Sequence, residues 1–275
     1  MDAKSTNHAH WQDMARVHGN GADHYYDVDA LLAGRTVMTD LEEGALELCG
    51  GVKGRDVLHL QCHIGFDTIT FAQRGARATG LDFSSEALLK AHSIAARAGV
   101  EVEWVEADVL SPPAELSQRF DLVYASIGAI CWVADLTAWM QTAARALRPG
   151  GRLALIDLHP AYAMLGQREP LVVDFPYSFD GPHLFEGPGS YANPDADVKA
   201  TQSVSFAHDL GEIVSSAIDS GLRIERLLEH LSCAFDPRGN VAVREADGRF
   251  RVRLGGPSGH PIPLLFTLVA SRPPA

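Results

Sequence analysis

Cysteine is scarce in this chain and poorly placed for its usual jobs. Cys49, Cys62, Cys131 and Cys233 lie far apart with no C-x-x-C pair, which excludes a zinc knuckle and argues against a disulfide framework. No run of five basic residues occurs, and 23 Lys and Arg face 35 Asp and Glu, a formal net charge of -12. That field repels a phosphate backbone, so nucleic acid is not expected as a partner. No apolar stretch approaches the ~18 residues needed to cross a bilayer. The first thirty residues are polar and His-rich and lack the apolar segment of a secretion signal. The expectation is a reduced, cytoplasmic protein of enzyme size, monomeric or homodimeric, with no membrane partner.

What is present is an alternation of strands and helices. Residues 1–50 read as a polar helical cap or lid, closed by Gly50-Gly51. Strand patterns follow at 56–60, 76–83, 101–106, 120–125 and 152–156. Between them lie helical stretches at 67–73, at 85–98 with Ser84 or Ser85 as cap, and from the Asp135 cap to Gly150-Gly151. Strands alternating with helices imply a parallel sheet covered on both faces. Residues 159–206 break the rhythm with Pro, Gly and seven aromatic residues, an insertion expected to shape a pocket. A helix capped by Asp209, with Glu212 three residues on and Gly221 at its end, precedes a strand at 223–230. A polar hairpin around Asp247-Gly248 and an apolar strand at 263–270 complete the chain. The expected fold class is α/β, a Rossmann-like seven-stranded, mostly parallel sheet over residues 51–275 whose last strand runs antiparallel.

Ligands of such sheets bind beyond the carboxyl ends of the strands. Asp82, 17 residues past Gly65, ends the second strand where a carboxylate can hold a ribose diol. Phe83 offers a face to adenine, Asp108 an acceptor for an exocyclic amine, and the Val109 N–H a donor to a ring nitrogen. Together they describe an adenosine site. Asp82 is expected to serve the ligand without supporting the core. A metal reading of His59 and His63 fails because His59 lies in a strand, so the two share no helical face. A nicotinamide reading lacks two of three fingerprint glycines.

With these residues in view, the chain from about 56 to 230 resembles the class I S-adenosylmethionine-dependent methyltransferases. Val57-Leu58-His59-Leu60-Gln61-Cys62-His63-Ile64-Gly65 stands at their first motif, Gly80-Leu81-Asp82-Phe83-Ser84 at the second and Glu106-Ala107-Asp108-Val109 at the third. Phe120-Asp121-Leu122-Val123 and Leu147-Arg148-Pro149-Gly150-Gly151-Arg152-Leu153 match two later ones. The family's Gly-x-Gly-x-Gly turn keeps only Gly65, with Gln61 and His63 in the other places. The string His-Leu-Gln-Cys-His-x-Gly-x-Asp-Thr is similar to a bacterial subset of the family.

The resemblance implies S-adenosyl-L-methionine as cofactor, with Tyr26, Gln61, His63, Gly65, Asp82, Phe83, Asp108, Val109 and Ser126 around it. It also implies a small-molecule acceptor methylated at O or N, bordered by Tyr25, Tyr191 and His208, with His159 as general base and His230 as a weaker candidate. Trp11, Tyr25 and Tyr26 are expected to fold over the cofactor as a lid. After strand four stands Ser126-Ile127-Gly128-Ala129, not the Asn/Asp-Pro-Pro-Tyr stretch of similar enzymes that methylate nucleic-acid amines. Methylation at carbon of an aromatic or isoprenoid metabolite, or a non-catalytic cofactor-binding subunit, are the alternatives.

Overall fold

A computed structural model describes residues 2–21, 25–166, 171–238, 241–256 and 258–274. In chain order the first strands are β1 (Asp56–Leu60), β2 (Arg77–Asp82), β3 (Glu103–Glu106), β4 (Phe120–Ser126) and β5 (Leu147–Leu158). The insertion adds β6 (His183–Glu186) and β7 (Gln202–Ser205), an antiparallel pair, and β8 (Arg223–His230) follows. Two short hairpins pair β9 (Val243–Arg244) with β10 (Phe250–Arg251), and β11 (Arg253–Leu254) with β12 (His260–Pro261). The last strand is β13 (Leu265–Ser271). The main sheet has the order β3-β2-β1-β4-β5-β13-β8. Strands β1 to β5 are parallel, and β13 runs antiparallel between β5 and β8.

The described residues form the helices α1 (Ala3–Val17), α2 (Val28–Leu32) and α3 (Asp40–Leu48) before β1, and α4 (Phe66–Gln73), α5 (Ser85–Ala98), α6 (Leu136–Ala146), α7 (Pro160–Ala163) and α8 (Leu210–Asp219) between strands. Side chains alternate across each strand, so the sheet feeds two cores. Leu58, Leu60, Val123, Leu153 and Leu155 meet Trp139 of α6 and Ile213 of α8. Val57, Leu122, Tyr124, Ala154 and Ile156 meet Leu46 of α3 and Phe71 of α4 on the other face. Of the expected cap, α3 therefore belongs to the core. No helix of the described residues is long and apolar enough to cross a membrane.

Two local expectations are corrected. Helix α6 stops at Ala146, and Gly150-Gly151 lies inside β5, where the register against β4 shifts. The left-handed Gly150 (φ 82) lets its N–H reach the Arg272 carbonyl at 2.9 Å. At α8, Asp209 caps the Glu212 N–H as expected, but the Glu212 carboxylate turns to His208 rather than back to the cap.

Helix α1 lies over the carboxyl ends of the strands. On one side Gln12 accepts from Ser84 Oγ (2.6 Å) and the Glu86 N–H (2.9 Å) at the start of α5. On the other, the Asn7 amide exchanges two hydrogen bonds with the backbone of Val204 in β7. The insertion is thereby drawn over the same end of the sheet; its residues 167–170 lie outside the described residues.

Gly65, left-handed at φ 77 before α4, has no room for a side chain, because a Cβ there would stand 2.5 Å from the Trp104 ring and 2.9 Å from Ala91. Gly65→Ala is expected to cost about 2–4 kcal/mol through overpacking and backbone strain, read as a lowered midpoint in urea at unchanged m-value.

Candidate active site

The turn after β1 carries three residues with positive φ at alternate positions, Gln61 (54), His63 (48) and Gly65 (77). For a non-glycine residue that conformation costs about 1–2 kcal/mol. Hydrogen bonds offset it. Gln61 Oε1 accepts from Trp139 Nε1 (2.8 Å) and its Nε2 donates to the Ala129 carbonyl (2.9 Å). The His63 N–H donates to Asp82 Oδ2 (2.8 Å), and its ring Nε2 shares a hydrogen with His18 Nδ1 at 2.7 Å. Burial, with His18 and Lys90 nearby, pushes the His63 pKa well below the usual range, so the ring is neutral. Only at position 65, where Trp104 fills the space, does glycine remain. Each end of the Gln61 amide thus makes one hydrogen bond within the protein and keeps a second N–H and a second lone pair.

Asp82 ends β2, 6% exposed. Its Oδ1 accepts from the Ser84 N–H at 2.9 Å while Oδ2 holds His63. Burial pushes its carboxyl up to about 6 against these donors. Asp82 thus supports the structure, contrary to the sequence-based expectation. Beside it a cavity of about 330 Å³ is lined by Lys4, Ser5, His8, Phe83, Glu106, Ala107 and Asp108. Asp108 pairs with Lys4 of α1 at 2.6 Å and accepts the Leu110 N–H. The Val109 carbonyl accepts from Thr142 on α6. A larger groove of about 660 Å³, lined by Arg77, His92, Trp104 and Arg119 among others, sits at the starts of β2 and β3 and holds none of the sequence-predicted residues.

Past β4 and β5, acids that sequence reasoning did not assign hold the walls. Asp157 accepts four backbone N–H groups, from Gly128 (2.6 Å), Ala129 (3.0 Å), Ile130 (3.0 Å) and Leu158 (2.7 Å), pinning the loop after β4. Ser126 Oγ donates to Asp67 Oδ2 at 3.0 Å, and Tyr124 bridges Asp67 (3.4 Å) and Glu42 (3.1 Å). Burial first, then the neighbouring Glu42, pushes Asp67 up to about 8. Trp132 follows that loop with its Nε1 buried and without a partner among the described residues. The only sequence trace of Asp157 was its place at a strand end.

The roof brings several predicted residues together. Tyr26 stacks on His18 (5.0 Å) and packs edge-on against Phe66 (5.2 Å); its hydroxyl meets that of Tyr191. Tyr25 meets Tyr191 at 5.5 Å, and Trp11 meets His63 at 5.2 Å and Trp132 at 5.3 Å. Three histidines do not join them. His159 Nδ1 accepts the Ala161 N–H (3.0 Å), so its Nε2 carries the hydrogen and donates to Glu229 (2.8 Å). His159 therefore ends the strand and caps α7 with both ring nitrogens engaged. His208 is likewise consumed, donating from Nε2 to the Val133 carbonyl (2.8 Å) with Nδ1 on Glu212 (3.0 Å). His230 lies on β8 with its Nε2 on Thr267 (2.8 Å).

Comparison with known proteins agrees with this geometry. Residues 57–151 match the methyltransferase domain family. Over 113 residues the chain is 33% identical to a ubiquinone biosynthesis O-methyltransferase of Salmonella arizonae, covering 41% of this chain and 46% of that protein, so the match spans less than half of the relative. Among solved structures, an S-adenosylmethionine-dependent methyltransferase from Mesorhizobium loti aligns over 84% of this chain and 97% of its own (TM-score 0.57, 24% identity). The glycopeptide N-methyltransferase MtfA, solved with sinefungin, aligns over 85% and 93% (TM-score 0.53, 17% identity). The fold is the Rossmann-like fold of these enzymes.

Two stability predictions follow from the buried acids. Asp82→Asn turns an NH2 toward two N–H donors and leaves one unmet, an expected loss of about 1–3 kcal/mol in urea denaturation. Asp67 binds its proton more tightly folded than unfolded, so the stability it lends is complete below pH ~4 and lost as pH rises toward 8. Asp67→Asn is expected to flatten that decline, seen in melting temperatures between pH 5 and 9.

Proposed function

We propose that the chain is an S-adenosylmethionine-dependent methyltransferase acting at O or N of a small molecule. The observation that carries this reading is the clasp between Asp82 and the turn after β1, beside a cavity bounded by Phe83 and Asp108. The cavity at the strand ends and the orphaned buried Nε1 of Trp132 fit a bound polar cofactor. When bound, that cofactor supplies a methyl group already activated on a sulfonium, so the chain must align, exclude water and accept a proton.

Each residue has a job in that scheme. The Asp82 oxygens each accept one backbone N–H and retain lone pairs for two vicinal hydroxyls. Phe83 and the cavity take the purine, with Asp108 and the Val109 N–H as acceptor and donor along its edge. Gly65, His63, Tyr26 and Ser126 border the methionine part, held by the turn and by Asp67. Tyr25 and Tyr191 shape the acceptor pocket together with residues 159–206. Closure of the strand ends by α1 and β7, with the acidic net charge, favours a small acceptor over a polymer. The relative named for O-methylation supports oxygen as the target.

Calorimetry with S-adenosylhomocysteine, followed by transfer of labelled methyl to a panel of phenols, amines and heteroaromatics, tests the reading. One bound molecule per chain and a labelled O- or N-methyl product are expected, with binding lost in Asp82→Ala. Label found on carbon would move the target atom. Binding without any transfer would make the chain a cofactor-binding subunit, and absence of binding would end the proposal.

A further inference from the structure

We propose that His10 is the general base that takes the acceptor's proton, an inference that rests on the methyl-transfer reading and deepens it. Asn7, His10 and Asp13 recur every three residues along α1 and all meet residues 199–204. Asn7 holds Val204, Asp13 accepts the Ala200 N–H (2.8 Å), and His10 Nδ1 lies 2.8 Å from the Ala200 carbonyl. A carbonyl only accepts, so Nδ1 carries the hydrogen and Nε2 the lone pair. No group among the described residues engages that Nε2, in contrast to His18, His159 and His208, whose two ring nitrogens are both occupied.

The surroundings suit a proton acceptor. The His10 ring stands 6.3 Å from Trp132, whose Nε1, like that of Trp104 elsewhere in the fold, is buried and has no partner among the described residues. The roof thus carries an acceptor, and the loop pinned by Asp157 a donor, that no described group takes up, and the proposal sets the acceptor's hydroxyl between them, its hydrogen toward Nε2 and its oxygen toward Nε1. Burial lowers the affinity of His10 for a proton, so the ring is neutral near pH 7 and able to accept one. In the step, the acceptor O–H proton passes to Nε2 as the oxygen lone pair forms the O–CH3 bond. The electron pair of the broken S–CH3 bond stays on sulfur, and the His10 imidazolium then returns its proton to water.

His10→Asn separates clamp from base, since the asparagine amide can still donate to the Ala200 carbonyl but offers no basic nitrogen. In this variant, S-adenosylhomocysteine affinity and melting temperature are expected to match the parent chain. Methylation of catechol should fall roughly 100- to 10,000-fold, while 4-nitrophenol supplied already ionised at pH 9 should change less than about threefold. Nitrogen-15 spectra of the full chain with S-adenosylhomocysteine should show His10 protonated on Nδ1, with Nε2 shifting when catechol is added. Undiminished catechol turnover in the variant, the opposite tautomer, or an Nε2 unmoved by catechol would overturn the assignment. If the parent chain does not bind S-adenosylhomocysteine, the methyl-transfer reading itself fails, a result separate from all of these.

Discussion

The carboxylate of Asp82 is the joint on which the site depends. It is buried at the end of β2, and its two oxygens reach in different directions, one to the turn after β1 and one to the first turn of α5. A buried carboxylate left without donors would be costly, so the backbone must bring N–H groups to it. That requirement fixes where His63 stands, and with it the left-handed turn that aims the start of α4 at the cleft. The same burial raises the Asp82 pKa to about 6, against the backbone donors that favour its charge.

The same physics recurs around the cleft. Asp157 gathers four N–H groups and thereby shapes the loop leading to Trp132. Asp67 and Glu42 are brought together through Tyr124, which favours a shared proton over two buried charges. Each acid stiffens a segment that a mobile loop would otherwise form, and stiffness is what alignment of two reacting groups needs. The histidines divide by what their second nitrogen meets. Where both nitrogens are held, as in His159 and His208, the ring is a strut, whereas His10 is held through Nδ1 alone.

The fold was legible because its signals are local. Strand alternation, the Ser84, Asp135 and Asp209 caps and the hairpin at Asp247-Gly248 each lie within a few residues of the element they define, and β13 was read as antiparallel from its position in the chain order. The Gly150-Gly151 pair was misread because glycine ends helices and also permits irregular strands, and only pairing with β4 and Arg272 decides between them. The places of Asp82, Phe83 and Asp108 at or just past strand ends were legible in the sequence. The position of His159 beyond β5 is visible in the sequence, whereas Ala161 and Glu229 are not visible as its partners. His10 was invisible for the converse reason: its carbonyl partner at Ala200 lies 190 residues away.

Periodicity, caps and turn residues therefore determined the order of strands and helices and the acids at the strand ends, because these rest on contacts within one or two turns of chain. Tertiary structure alone decided which polar atoms are spent and which remain available. That property depends on contacts between α1, the β1 turn and residues 190–204, and a hydrogen bond across such separations leaves no pattern in the sequence at either end.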